Sequence, residues 1–295
     1  MRKSLFFLLG ALLFSLLQSH VFAQAAPETS QSKQKNLLLS AGLGYATFRD
    51  FATSPLYYAG PGFSFAFERQ TIMPKSEINW GLSPLISSTM ALIPISDYLQ
   101  TQASSMFISF DAYAQYLRLV PQLSSDKLKL KAGGTVMATQ NIRINQSLNN
   151  AAFGAESFVN LMLALKADTD ISRKEEKNIK LWFLNFKQKP ARRNLSFQAN
   201  IGLLNFNHRP SYNYFYFSKI DGNSVSSLSS MMKTYDWSLN GWRVGTKIEF
   251  SKFTSSGNGF KIAYVWDITS APGKHQAFQM ASHRIQYSLI INKNK

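Results

Sequence analysis

Apolar residues fall on every second position in one segment after another of this chain. From Leu37 to Tyr45 the odd positions carry Leu, Leu, Ala, Leu and Tyr, while 40, 42 and 44 are Ser or Gly. Phe63, Phe65 and Phe67 alternate with Ser64, Ala66 and Glu68, and Trp242, Val244, Thr246, Ile248 and Phe250 with Arg243, Gly245, Lys247 and Glu249. Ten segments keep this period: 37–45, 63–68, 78–87, 108–116, 127–136, 156–166, 195–203, 242–250, 260–268 and 284–291. Side chains two apart share a face of an extended strand, so each segment predicts a β-strand with one apolar and one polar face. Soluble sandwiches alternate too, but their strands average about five or six residues. Runs near ten residues match the roughly 9 to 11 that cross a bilayer at a tilt of about 45°. Tyr45, Phe48, Trp80, Tyr116, Trp242, Phe250 and Trp266 lie toward segment ends, where aromatic side chains sit at headgroup level.

Strands with a lipid-facing side must close on themselves, because an open edge would leave backbone groups unpaired in hydrocarbon. The expected fold is all-β, a single antiparallel transmembrane β-barrel over residues 36–295. In this pattern the chain resembles the Gram-negative outer-membrane β-barrel superfamily from Asn36 to Asn292. The resemblance implies an outer-membrane location and, in this superfamily, channels, anchors and a few enzymes. Such barrels commonly end on an aromatic residue, whereas the alternation here stops at Ile291.

The strand count stays open between about twelve and ten, because two segments read either way. Ile179 to Phe186 does not alternate. Ser172 and Glu175 stand at capping-box spacing, and Ile179, Trp182, Phe183 and Phe186 would share a helical face, which gives a short interfacial helix in the periplasm. As a strand, the same segment forms a hairpin with 195–206 through a turn at 187–193. Tyr212 to Phe217 is a further strand or an aromatic loop tip. Counting both gives twelve strands and counting neither gives ten, both even, as termini on one side require. Twelve allows about 22 residues per strand and connection, the more ordinary spacing.

The N-terminus fixes the compartment. Arg2 and Lys3 precede the apolar run Leu5 to Leu17, and Val21-Phe22-Ala23 closes it, the layout of a cleaved secretory signal peptide. The expected organisation is a signal peptide over 1–23, a periplasmic tail over 24–35 and the barrel. No later segment is an apolar run long enough for a membrane-spanning helix. Zero cysteines exclude a disulfide-stapled scaffold. The formal charge is +16, and removing 1–23 takes away Arg2 and Lys3 and leaves +14. Nucleic acid is not the partner this implies: the chain is exported, its Lys and Arg are spread along its length, and no recognition motif accompanies them. The partners it does imply are outer-membrane lipid and lipopolysaccharide, small hydrophilic or anionic solutes, and a protein partner met through loops.

With the apolar faces in lipid, the polar faces line the lumen. The candidate lumen residues are Asp111, Lys127, Lys129, Lys131, Glu156, Arg243, Lys247, Glu249, Lys261 and Arg284, with Glu68 and Asp267 on the same faces. Two interiors follow from such a set: a water-filled pore mildly favouring anions, or a lumen closed by ion pairs and hydrogen bonds. No covalent chemistry is expected. The mature histidines are His208, His275 and His283, and neither His208-Arg209-Pro210-Ser211 nor Ser282-His283 reproduces the motifs of outer-membrane lipases or proteases. The chain has no spacing for a metal and no cofactor motif. A passive or ligand-selective channel is the first expectation. The alternative is a non-conducting scaffold or anchor for a partner protein, and the third is an outer-membrane lipid hydrolase or acyltransferase.

Overall fold

The structure, a computed structural model, describes residues 33–51, 54–94, 100–145, 153–172, 176–181, 184–188, 190–209, 236–254, 256–272 and 277–293. The expected signal peptide, most of the tail and the segment Tyr212 to Phe217 lie outside them. The strands are β1 (Gln34–Asp50), β2 (Ser54–Ile72), β3 (Ser76–Pro94), β4 (Gln100–Leu119), β5 (Leu128–Ile144), β6 (Phe153–Asp170), β7 (Lys177–Leu181), β8 (Leu184–Gln188), β9 (Arg192–Arg209), β10 (Asp236–Leu239), β11 (Trp242–Phe253), β12 (Gly259–Pro272) and β13 (Ala277–Asn292). Only the 3₁₀ turn Pro121–Leu123 interrupts this list of strands among the described residues.

Ten of these strands, β1 to β6, β9 and β11 to β13, pair antiparallel with their neighbours and close into a barrel through β1 with β13 and β6 with β9. They coincide with the ten alternating segments. The barrel is therefore the ten-stranded one and not the twelve-stranded one. The described residues of 179–186, all but 182 and 183, belong neither to a helix nor to a barrel hairpin with 195–206. Instead, β7 and β8 pair with each other as a separate two-stranded sheet, and β6 passes its edge directly to β9. The short β10 extends the edge of β9 beyond its pairing with β11, Leu239 opposite Phe206.

β1 begins and β13 ends at one end of the barrel, where Asn36 faces Asn292 and Gln34 faces Ile72; we call it the terminus end, and the opposite one the loop end. The outward face is apolar in register across strands. Leu43 lies between Ile285 and Phe63, and the three are 66%, 61% and 64% exposed. Such a continuous belt has no place in water, where each Å² of apolar surface costs about 25 cal/mol, and is at home in acyl chains. Strands β2, β3 and β4 run 19, 19 and 20 residues, well beyond the length a bilayer needs, so the wall on that side projects past the membrane.

Two local devices fix the wall. Gly42 and Gly133 face inward where strands approach closely: a Cβ there would come within 2.0 Å of the Ile285 carbonyl oxygen and 1.9 Å of the Tyr116 carbonyl oxygen. These glycines serve close packing. At the terminus end the 254–258 turn uses Gly257 at φ +83, a left-handed conformation that favours glycine. Asn258 of that turn accepts a bond from the Asn292 amide at 2.9 Å and so ties the turn to the end of β13.

Candidate functional site

The barrel interior is the obvious site, and it is full. Inward positions hold eight carboxylates and eight cations in ion pairs, arranged in layers along the axis. Nearest the terminus end, Glu77 holds Lys131 at 2.5 Å and Lys166 at 2.7 Å, and Lys131 also reaches Asp168 at 2.7 Å. The next layer joins Glu249 to Lys247 at 2.9 Å and to Lys261 at 2.7 Å, with Glu68 3.6 Å from Lys247. Tyr113 donates its hydroxyl to Glu68 at 2.8 Å.

Above these layers, Arg243 of β11 spans the lumen. Its Nε donates to Asp267 at 3.1 Å, one Nη to Thr139 at 2.7 Å and Asn160 at 3.1 Å, and the other to Asp111 at 3.3 Å. Arg284 reaches the second oxygen of Asp111 at 3.3 Å and donates to Ser83 at 3.0 Å. Arg243 is 1% exposed, so β11 and β12 are stitched to β4, β5 and β6 through a side chain with almost no access to water. Burying a guanidinium this deeply is tolerable only because carboxylates and neutral acceptors occupy its fork.

Toward the loop end an apolar layer replaces the charges. Phe48 stacks on Tyr58 and Phe107 with centroids 5.1 and 5.0 Å away, and Phe158 stacks on Phe278 at 5.7 Å. The final polar layer caps it: Arg143 pairs with Glu156 and with Asp50 at 2.7 Å, while Arg209 pairs with Asp50 at 2.8 Å and donates to the Ala271 carbonyl at 2.6 Å. The Arg143 guanidinium lies 5.6 Å over the Phe48 ring and 5.7 Å over Phe278, so the two layers interlock. Between the charged layers remains a chamber of about 90 Å³ lined by Glu68, Asp111, Tyr113, Lys247, Glu249 and Lys261, room for a few waters.

Eight of the candidate lumen residues, Asp111, Lys131, Glu156, Arg243, Lys247, Glu249, Lys261 and Arg284, stand in these clusters. Lys129 is half-buried at the terminus end, opposite Asp168 in the β5–β6 ladder. Lys127 is not inside the barrel. It sits in the turn before β5 and is exposed, and its backbone carbonyl accepts the Asp170 amide at 2.9 Å, which carries the β5–β6 pairing one residue past the strand. Asp50, Glu77, Asp168 and Arg209 complete the layers without having been singled out, since each lies at or past the edge of an alternating segment. Lys166 was legible as the polar partner of Leu165.

The histidines do not gather. His208 stacks on Trp237 at 4.2 Å near the loop end. His283 exchanges a 2.6 Å hydrogen bond with the Tyr264 hydroxyl on the outward face. His275 lies outside the described residues. Among the described residues, no group of three or more His, Cys, Asp or Glu could hold a metal ion.

The fold is a closed antiparallel β-barrel, and solved structures of outer-membrane proteins share it. The chain is similar to the outer membrane protease OmpT of Escherichia coli, with a TM-score of 0.53 and 7% identity over 91% of this chain and 99% of that one. It is also similar to the translocator domain of the autotransporter NalP of Neisseria meningitidis, at TM-score 0.31 and 7% identity over 95% and 94% of the two chains. An outer membrane channel of Pseudomonas putida F1 matches at TM-score 0.33 and 7% identity over 91% and 100%. Identities this low carry the fold alone. No protein-family model and no curated protein sequence matches the chain.

Proposed function

We propose that the protein is a non-conducting outer-membrane barrel that works as a membrane anchor, holding the β7–β8 hairpin at its periplasmic, terminus end for a protein partner. The observation that carries this is that layers of paired charges and stacked aromatics cross the lumen at successive levels, with a chamber of about 90 Å³ between the charged ones. A solute path would have to displace Arg243 from Asp111 and Asp267 and then pass the Phe48, Phe107 and Phe278 layer. Breaking one such buried pair costs about 3 to 5 kcal/mol, which no passive solute supplies. The hairpin supports an anchoring role because the barrel closes without it: β6 pairs with β9 from Ser157 to Asp170, and among the described residues β7 and β8 pair as strands only with each other.

A swelling assay tests the proposal. Liposomes carrying the folded protein, diluted into small sugars or anionic solutes, swell no faster than empty ones. Swelling that accelerates in proportion to the amount of protein would overturn the closed barrel and restore the channel.

A further inference from the structure

The interior ion pairs balance one another, so the surplus positive charge, +14 without residues 1–23, resides elsewhere, and its distribution is lopsided. The connections at the terminus end, 73–75, 120–127, 171–191 and 254–258, contain eight Lys or Arg against three Asp or Glu. Those at the loop end, 51–53, 95–99, 145–152, 210–235 and 273–276, contain three Lys against two Asp. The outward faces of the ten barrel strands are more one-sided still, for no Asp or Glu occurs on them among the described residues.

Cations do occur there, and they cluster at one level. Lys35, Arg69, Arg118 and Lys252 are exposed on the outward face at the terminus end, and exposed Lys293 follows β13. Each of three stands beside an aromatic that marks the edge of the apolar belt. Arg69 is directly opposite Trp80 in the β2–β3 ladder, Arg118 is two positions beyond Tyr116 on β4, and Lys252 is opposite Phe260 in the β11–β12 ladder. Arg69, Arg118 and Lys252 meet no carboxylate among the described residues. At the loop end the outward face of β1 offers only Arg49, whose guanidinium is engaged over the rings of Phe51 at 3.9 Å and Tyr57 at 4.6 Å.

We propose that this arc of cations, running from β4 round through β1 to β11, is a binding surface for anionic phospholipid headgroups in the leaflet at the terminus end. A long cationic side chain one residue outside the acyl belt lays its apolar stem along the lipid and raises its charge to phosphate level. The neighbouring aromatic fixes the depth at which it does so. An acidic protein would need these groups to face an aqueous surface, whereas their parity turns them toward lipid. The inference rests on the membrane reading of the fold but not on the lumen being closed.

The test is lipid selection. The folded protein is reconstituted in equal parts phosphatidylcholine and phosphatidylglycerol, released into mild detergent, and its retained lipids are counted by native mass spectrometry. Phosphatidylglycerol should be retained over phosphatidylcholine by roughly fivefold or more, the scale of one Lys or Arg at an anionic surface. The triple variant Arg69→Gln, Arg118→Gln, Lys252→Gln should lose most of that preference, while Arg69→Lys with Arg118→Lys keeps it. In molar salt, where screening acts within about 3 Å, the wild-type preference should vanish, a measurement that needs no variant. Equal retention by the wild type, or a preference undiminished in the triple Gln variant, overturns the proposal. A folded barrel is verified beforehand by its heat-dependent electrophoretic shift, so loss of that shift would speak against the membrane fold and not against lipid selection.

Discussion

At the scale of single residues, the lumen is governed by the expense of an unpaired buried charge. Arg143 shows this best, because it shares Asp50 with Arg209 and faces Glu156 alone. Arg143→Met should lower stability by about 3 to 5 kcal/mol, since Glu156 is then left charged beside Phe158 with no cation of its own. Arg143→Met with Glu156→Leu removes the orphan and should recover most of that loss, leaving the Asp50–Arg209 pair intact. Urea unfolding in detergent measures both, and a double variant no more stable than the single would contradict the pairing. The alternation made Arg243, Lys247 and Glu249 legible as inward residues because they sit in the middle of a clean strand. Asp50 and Arg209 were not legible, because a charged residue at a strand end reads equally as loop. Which carboxylate meets which cation depends on strand register around the whole barrel, and local sequence does not encode that. Lys127 shows the reverse error: its parity is right, but the strand starts one residue later, so period alone placed it inside.

At the scale of elements, the connection between β6 and β9 is the part the sequence described least well. Its apolar residues follow neither period cleanly, and its capping-box spacing suggested a helix. A short hairpin needs only a few residues of local pairing, Lys177 to Leu181 against Leu184 to Gln188, and gives no long repeat to detect. The hairpin leaves from the terminus end, where Ser172 donates its hydroxyl to the Arg193 carbonyl at 3.3 Å and accepts the Arg193 amide at 2.9 Å. A cysteine replacing Gln188, in a chain that has none of its own, should therefore react with a membrane-impermeant thiol reagent only after the outer membrane is permeabilised. Labelling on intact cells would put the terminus end outside and reverse the orientation. Replacing 174–190 by a short Gly/Ser turn should leave the heat-dependent shift unchanged, because no barrel strand pairs with β7 or β8.

At the scale of the whole molecule, three regions of different chemistry follow from one repeating pattern. The outward side chains make an apolar belt, the inward ones a neutral, interlocked interior, and the surplus positive charge collects at the terminus end. The sequence carried the first of these in full, since the belt needs only parity and all ten strands kept it. It left the second undecided between pore and closed core, because a row of charges reads the same whether its partners lie across a water-filled gap or within 3 Å. The measurement that separates these most directly is single-channel recording on protein whose mobility shift shows it folded. With the wild-type barrel inserted in a planar bilayer, no discrete conductance steps should appear across the accessible voltage range. Regular, reproducible steps from the same material would mean that the ion-pair layers part under working conditions, and would contradict a closed anchor.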